Sequence, residues 1–484
     1  MSEVVYEAPW LELEPMFYNV RTGAVDRDVS AVIDLPEVEL DPEGLSYYLD
    51  LGYSAFGRTP VRDVRYVEAA TRLLRGPGGG FSVEPTAAAG RVPGDGTSSV
   101  DEVLDAMRGA VAAAVAGTSG PVVIPTSGGK DSRMLNALVR ELGLGDRVWI
   151  FTYGLSDDQS RCDEVVRARE VARRVGARWE RIQLGEQHHY MRAWYDWFGP
   201  AVEAHGMYQI EFYRGIAARL GEGAMREPPL VLSGAFGDWF AGQCPESLTL
   251  PAAWTGPDDV VRYFRQGPEH ATSAASALPV VRDAAEEALE ESAAVQRDPR
   301  LRFLTKARTR TMLLRYLVDV PRRLGFAAAA PLADERAGLA ALSLPLEDRL
   351  DYRWELRTLA EAGLDVDGDA YAGDRMNTLD VQALHRVPLR PLDVDVLREC
   401  IRPDYVRWVN RDVGRLGRLW EMYWRSATTK GLRRVNAWLR ARGLEAQQLP
   451  AYYAYLVLWP LQQLLQARDA ARTAAATGDG GGVK

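Results

Sequence analysis

From residue 99 onward, short apolar runs alternate with segments whose apolar positions repeat every three to four residues. Val100 to Ala116 carries the helical period, and Val122-Val123-Ile124 is an uninterrupted apolar run, the pattern of a strand buried on both faces. Asp131 to Leu142 returns to the helical period, with Met134, Leu135, Leu138 and Leu142 in one stripe and Gly143 as a C-terminal stop. Val148 to Tyr153 predicts the next strand. Asp163 to Val175 predicts a helix through Val165, Ala168, Ala172 and Val175, and Trp179 to Leu184 another strand. Tyr208 to Leu220 reads as helix, and Pro229-Leu230-Val231-Leu232 as a further buried strand. Strands and helices in this alternation require crossover connections, so the expected fold class is α/β with a doubly wound parallel sheet.

The first hundred or so residues differ. They are rich in acidic, aromatic and β-branched types, with turn signals at Asp41-Pro42 and Arg58-Thr59-Pro60 and a helical stretch near Gly44 to Leu51. A small α+β N-terminal domain is expected. The clusters Gly76-Pro77-Gly78-Gly79-Gly80 and Pro93-Gly94-Asp95-Gly96-Thr97 cannot lie inside a helix or central strand, so the boundary falls there. From roughly Pro257 to Ala475 helical patterns dominate, which predicts a large helical C-terminal portion packed on the sheet. The expected division is 1–98, 99–475 and a disordered tail, 476–484, that has nothing to bury. No internal repeat is visible.

Composition narrows the class. A chain of 484 residues exceeds the usual span of one hydrophobic core. Its apolar and charged fractions are those of ordinary globular proteins, and no apolar run is long enough for a bilayer, so no membrane partner is expected. The start, Met1-Ser2-Glu3-Val4-Val5-Tyr6, has no basic and apolar leader pattern, which predicts a cytoplasmic protein. Cys162, Cys244 and Cys400 are too scattered for a zinc knuckle or a disulfide scaffold. A formal charge of -9 argues against a nucleic-acid partner. Lysine occurs only at 130, 306, 430 and 484, which draws attention to the first of these.

Lys130 lies in Pro125-Thr126-Ser127-Gly128-Gly129-Lys130-Asp131-Ser132-Arg133, between the buried strand and the amphipathic helix. Gly128 and Gly129 let the backbone approach phosphate oxygens, and free amides at the helix start point at the anion. Ser127 and Ser132 add hydroxyl donors, and Lys130 adds a positive charge. Asp131 would repel bare phosphate but suits a ligand to phosphate-bound Mg2+. The longer spacing and terminal Lys-Ser/Thr of a Walker loop are missing. A plain strand-to-helix turn with an acidic cap is the bland alternative; the strand context and residue order favour an anion site. A second loop, Ser233-Gly234-Ala235-Phe236-Gly237-Asp238, ends another strand, and in open parallel sheets such loops gather at one crevice.

On these motifs the sequence resembles the asparagine synthetase superfamily, in its synthetase half, within the ATP-pyrophosphatase (adenine nucleotide alpha hydrolase-like) group. The likeness covers about Leu45 to Asp334 and adds Asp163-Glu164 with Ala168, the spacing Ser233-Gly234-x-x-Gly237-Asp238-x-x-x-Gly242, Pro331-Leu332-x-Asp334, and Glu355-Leu356-Arg357. It implies ATP bound by Pro125, Ser127, Gly128, Gly129, Lys130, Asp131, Ser132, Ser233 and Gly234. It also implies Mg2+ held by Asp131 and Asp238, and cleavage between the α- and β-phosphates.

Departures shape the rest of the expectation. Relatives that hydrolyse glutamine begin with a cysteine nucleophile, yet no cysteine precedes Cys162. A shortened scaffold in place of the glutaminase is expected, with nitrogen from free ammonia or an amine on the substrate. The position where relatives carry a base in the second loop is Ala235. The downstream lysine of relatives is absent, which makes Arg375 the candidate substitute, with Arg386 and Arg390 behind it. Glu211 is a candidate base, and Lys130 can compensate at the α- or β-phosphate. His188-His189 and His205 lack a third ligand at metal spacing, and Asp365-Val366-Asp367-Gly368-Asp369 misplaces the glycine of a calcium loop. The resemblance therefore implies an AMP-forming amide ligase, with small-molecule or peptide carboxylate and amine substrates and ring closure within one molecule as a variant. A catalytically degenerate nucleotide-binding partner subunit is the alternative. A sulfur-inserting RNA enzyme would carry paired cysteines and a basic surface, and a homodimer is left open.

Overall fold

The computed structural model describes residues 2–94, 96–156, 158–221, 227–237, 275–279, 298–373, 377–413, 434, 438 and 450–478. Two small antiparallel sheets come first, made of β1 (Glu3–Glu7), β2 (Phe17–Asn19), β3 (Val25–Asp26), β4 (Val64–Tyr66), β5 (Thr71–Arg75) and β6 (Phe81–Pro85). Their strand orders are β1-β5-β6 and β3-β2-β4. Between them the helix Pro42–Leu51 starts where the Asp41 side chain accepts from the Glu43 amide at 3.1 Å, and it stops at Gly52, φ 79°. Tyr48 on this helix donates to the Val457 carbonyl at 2.9 Å, so the N-terminal residues pack onto the C-terminal helix Pro450–Gly478.

The main sheet has five parallel strands: β7 (Val122–Pro125), β8 (Val148–Thr152), β9 (Arg178–Arg181), β10 (Leu230–Leu232) and β11 (Ala327–Ala329), in the order β11-β10-β7-β8-β9. The fold class is accordingly α/β. Side chains of successive strand residues point to opposite faces, and both faces are covered. Val122, Ile124, Ile150, Leu230 and Leu232 share one core with the helices Val100–Ala116 and Lys130–Glu141 through Met107, Leu135 and Leu138. Val123, Phe151 and Val231 face the other core, with Ile210, Phe212 and Ile216 of the helix Tyr208–Leu220 and with the C-terminal helix. The Val100–Ala116 helix opens with a capping box, Ser99 and Glu102 bonding each other's backbone amides.

Three details differ from the sequence-based expectation. The strand expected to reach Leu184 stops at Arg181, because the Gln159 amide takes over as partner, accepting from the Leu184 amide at 3.1 Å and donating to its carbonyl at 2.8 Å. The helical C-terminal portion contributes β11, three alanines with no strand signature that pair with β10 at the sheet edge. The last helix runs to Gly478, into the expected tail, with Arg472 tied to the carbonyls of Pro36 and Val38; residues 479–484 lie outside the described ones. Among the described residues no helix is long and apolar enough to cross a membrane.

One buried acid belongs to the packing. The Glu203 amide donates to the Gly52 carbonyl at 2.7 Å, and the Trp194 indole donates to the Glu203 carbonyl at 2.7 Å. Its Oε2 has no hydrogen-bond partner among the described residues. Burial pushes this carboxyl up to about 7 from 4.5, against the opposing pull of His205. A raised folded-state pKa means that the stability contribution is complete below about pH 4.5 and is lost as pH rises through about 7. Glu203→Gln should therefore match the parent protein near pH 4 and exceed it at pH 8 by roughly 3 kcal/mol, the linkage equivalent of the shift. Urea unfolding at the two pH values checks this, and a gap independent of pH would contradict it.

Candidate functional site

β7 sits mid-sheet. From it the chain builds β8 and β9 to one side, then returns to lay β10 and β11 on the other. The order therefore reverses between β7 and β10, the position at which parallel sheets open a crevice beyond their carboxyl ends. Both glycine-containing loops leave from these two neighbouring strands.

The first loop is braced from below. The Thr126 amide donates to the Phe151 carbonyl at 2.9 Å, the Thr152 hydroxyl donates to the Thr126 carbonyl, and Asn136 donates to the Thr126 hydroxyl at 3.1 Å. Gly128 turns the chain at φ 73°, and a Cβ there would overlap Arg167 of the next helix. Gly129 is the extended N-cap of Lys130–Glu141, and no side chain caps this twelve-residue helix. Its leading amides are thus available to an anion, backed by the helix dipole. Ser127 Oγ accepts from the Gly129 amide at 3.3 Å, and Ser132 Oγ donates to the Gly129 carbonyl at 2.9 Å.

The second loop presses against the first. The Ser233 backbone amide donates a hydrogen bond to the Ala329 carbonyl at 2.8 Å, and the Ser233 Oγ accepts from the Ala235 amide at 3.2 Å. Phe236 takes φ 68°, a left-handed conformation that non-glycine residues adopt only where the surroundings enforce it. The next residue explains the turn. A Cβ on Gly237 would stand 2.5 Å from Asp131 Cγ, and one on Gly234 3.3 Å from Asp131 Cβ. Two glycines of one loop therefore let its backbone close on the carboxylate of the other. Asp238, the second expected Mg2+ ligand, lies outside the described residues.

A cavity of about 760 Å³ spans both loops. Its polar half is formed by Pro125, Ser127, Gly129, Lys130, Asp131 and Ser132, by Ser233 and Gly234, and by Asp163, Glu164 and Arg167 from the helix Asp163–Val175. Arg167 and Asp163 pair at 3.4 Å. The other half is mostly apolar, from Phe151, Tyr153, Phe212 and Tyr213 to Leu314 and Leu317, with Gln209 and Arg310 among them.

Neighbouring groups take other work. Arg133 is 1% exposed and donates to Asp367 at 2.8 and 3.1 Å and to the Leu364 carbonyl at 3.1 Å. Arg140 holds the Ala362 carbonyl at 2.6 Å, and Arg174 the carbonyls of Gly363 and Asp365 at 2.8 and 2.9 Å. The acidic segment that resembled a calcium loop is thus a strap fastened by arginines. Lys130 Nζ stands 3.8 Å from the centroid of the Tyr352 ring.

Of the expected site residues, eight line the one cavity: Pro125, Ser127, Gly129, Lys130, Asp131, Ser132, Ser233 and Gly234. Gly128 shapes the loop from behind. Glu211 is not brought to the cavity: its carboxylate accepts from the amides of Gly185 and Glu186 at 3.1–3.3 Å, and burial raises its pKa despite them. Helical phase separates it from Gln209, Phe212 and Tyr213, which do reach the cavity. Arg386 lies beside Leu184 and Gly185 near Glu211, and Arg375 is outside the described residues. Arg310, Arg167 and Gln209 were missed; Arg167 and Gln209 sit on helices where the sequence pointed to other residues, Asp163-Glu164 and Glu211, and Arg310 on a helix where it pointed to none. His188 is buried between the Val387 carbonyl and the Tyr452 hydroxyl, each at 2.8 Å, which lowers its pKa through desolvation. His205 lies 3.7 Å from Asp380. No family model matches the chain, and no curated protein matches it significantly.

The first loop can be tested without a ligand. Gly128→Ala must place a Cβ against Arg167 at a left-handed φ and should lose at least about 1 kcal/mol of stability. Gly129→Ala, at φ -67°, should lose less. Thermal unfolding of the two variants side by side reads the difference, and equal melting temperatures would contradict the assigned turn.

Proposed function

We propose that the chain is an ATP-dependent, AMP-forming amide ligase of the ATP-pyrophosphatase type. The observation that carries this reading is the meeting of the two loops: an uncapped helix N-terminus, Asp131 and Gly234 converge on one cavity at the strand reversal, with the Gly237 backbone packed against Asp131. Helix-terminus amides with a carboxylate in their midst suit a polyphosphate carrying a cation rather than a bare anion.

The donor set fits Mg2+, which is held by one or two carboxylates together with phosphate oxygens. Asp131 would hold it, with Asp238 as second ligand. When bound, the ion supplies charge neutralisation to the leaving pyrophosphate. The amides after Gly129 and the hydroxyl of Ser127 grip the phosphates, and Lys130 adds positive charge at the loop. An oxygen of the substrate carboxylate bonds to the α-phosphorus as the bond to the β-bridging oxygen breaks, giving an acyl-adenylate and pyrophosphate. The amine nitrogen then attacks the acyl carbon, AMP leaves with the former carboxylate oxygen, and the amine gives up one proton. The apolar half of the cavity, with Arg310 in it, is the place for the acyl substrate. A small-molecule or peptide acid with an amine partner is the expected substrate class, in specialised metabolism.

A nucleotide-binding subunit without turnover is the second reading, favoured by Ala235 on the cavity wall where a base would serve and by the position of Glu211. Exchange of labelled pyrophosphate into ATP, with Mg2+ and a panel of carboxylic acids, separates the two. A ligase incorporates label with at least one acid and loses about a hundredfold or more in Asp131→Asn, the scale on which charge-stabilising groups act. ATP binding without exchange for any acid supports the silent subunit, and absence of ATP binding removes both readings.

A further inference from the structure

Lys130 has a long, flexible side chain, and its ammonium would ordinarily sample many positions in water. Here it rests 3.8 Å from the centroid of Tyr352, a ring that does not itself line the cavity that Lys130 lines. The backbone that presents this ring is unusual. Asp351, φ 53°, and Tyr352, φ 60°, are two consecutive non-glycine residues in the left-handed region, which persist only where surrounding structure holds them. What holds them is the following helix, Arg353–Glu361, which shares a core with Lys130–Glu141 through Trp354 and Leu359 against Leu135 and Leu138. Arg140 and Arg133 fasten its far end at Ala362, Leu364 and Asp367. With the segment that follows one helix thus tied to the first and last turns of the other, Tyr352 at the start of one comes to lie over Lys130 at the start of the other.

We propose that Tyr352 is the positioning residue of Lys130: its ring fixes the ammonium at the cavity rim before a phosphate ligand arrives. A cation over an aromatic face is attracted by the ring's negative quadrupole, and the attraction grows as water is excluded. The rotamer freedom of Lys130 is then given up on folding rather than on binding, so anion binding gains affinity through preorganisation. The inference rests on the ATP reading of the cavity. It predicts that the ring matters for nucleotide affinity more than for turnover, and that the phenol hydroxyl does not matter.

The test measures pyrophosphate exchange and melting temperature in parallel. Tyr352→Leu should raise the KM for ATP by about three- to tenfold, the scale of a partly exposed cation–π contact, with kcat within about twofold. Tyr352→Phe should restore the parent KM. The Tyr352 ring also packs against the core, and Tyr352→Leu keeps an apolar side chain there, so its rise in KM should come without a comparable fall in melting temperature, opposite to what a merely structural residue would give. In a Lys130→Met background Tyr352→Leu should change KM no further. A parent protein that binds no ATP removes the ATP reading itself, and in one that binds ATP without exchange the dissociation constant for ATP is read in place of KM with the same expected ratios. A parent that exchanges, with Tyr352→Leu at the parent KM or Tyr352→Phe as impaired as Tyr352→Leu, overturns the positioning role alone.

Discussion

The close approach of the Gly234 and Gly237 backbone to the Asp131 side chain is the contact from which the rest of the site follows. It requires that β7 and β10 be neighbours, because only adjacent strand ends bring their loops within van der Waals range. It requires glycine at 237, where a side chain would overlap the carboxylate, and leaves little room at 234. It also explains the strained Phe236 between them: the loop must turn sharply to present backbone rather than side chain. A sheet with the same strands in sequential order would separate these loops, and the cavity would not form.

Holding such a contact requires a stiff frame. The first loop is fixed by hydrogen bonds from Thr126, Thr152 and Asn136, all buried, so its backbone cannot relax away from the second. On the outer side, Arg133, Arg140 and Arg174 bind backbone carbonyls of residues 362–365. Arginine serves there because its planar fork reaches several acceptors at once while its charge pairs with Asp367. The same clamp that fastens a surface segment also sets where Tyr352 meets Lys130.

The fold was largely readable from apolar periodicity wherever elements were long or fully buried. The helices 100–116, 163–175 and 208–220 fall where the pattern puts them, and β7, β8 and β10 carry uninterrupted apolar runs because both faces are covered. β11 was not readable: three alanines have no strand preference, and only pairing with β10 makes them a strand. The glycine loops were legible because backbone conformation and close approach leave a residue-type signature. Arg310 and Gln209 left none, since their place at the cavity depends on how separate helices pack. Glu211 shows the converse. An acid near the right strand suggests a base, but helix rotation turns it toward the amides of Gly185 and Glu186 instead.

The charges lining the cavity bear on what it can hold. Three carboxylates, Asp131, Asp163 and Glu164, share it with three cations, Lys130, Arg167 and Arg310, so formal side-chain charge cancels. Arg167 is engaged by Asp163, which leaves the glycine-loop end governed by Asp131, Lys130 and the helix amides. A free phosphate would meet a carboxylate there and gain little. A phosphate chain bearing a divalent cation reverses the balance, since the ion turns Asp131 from a repulsive neighbour into a ligand while the amides stay on the anion. Under the proposed ligase reading, this makes nucleotide affinity conditional on the metal. Lys130, kept at the rim by Tyr352, then supplies the cationic side chain that the loop brings to the cavity, where negative charge develops as pyrophosphate departs.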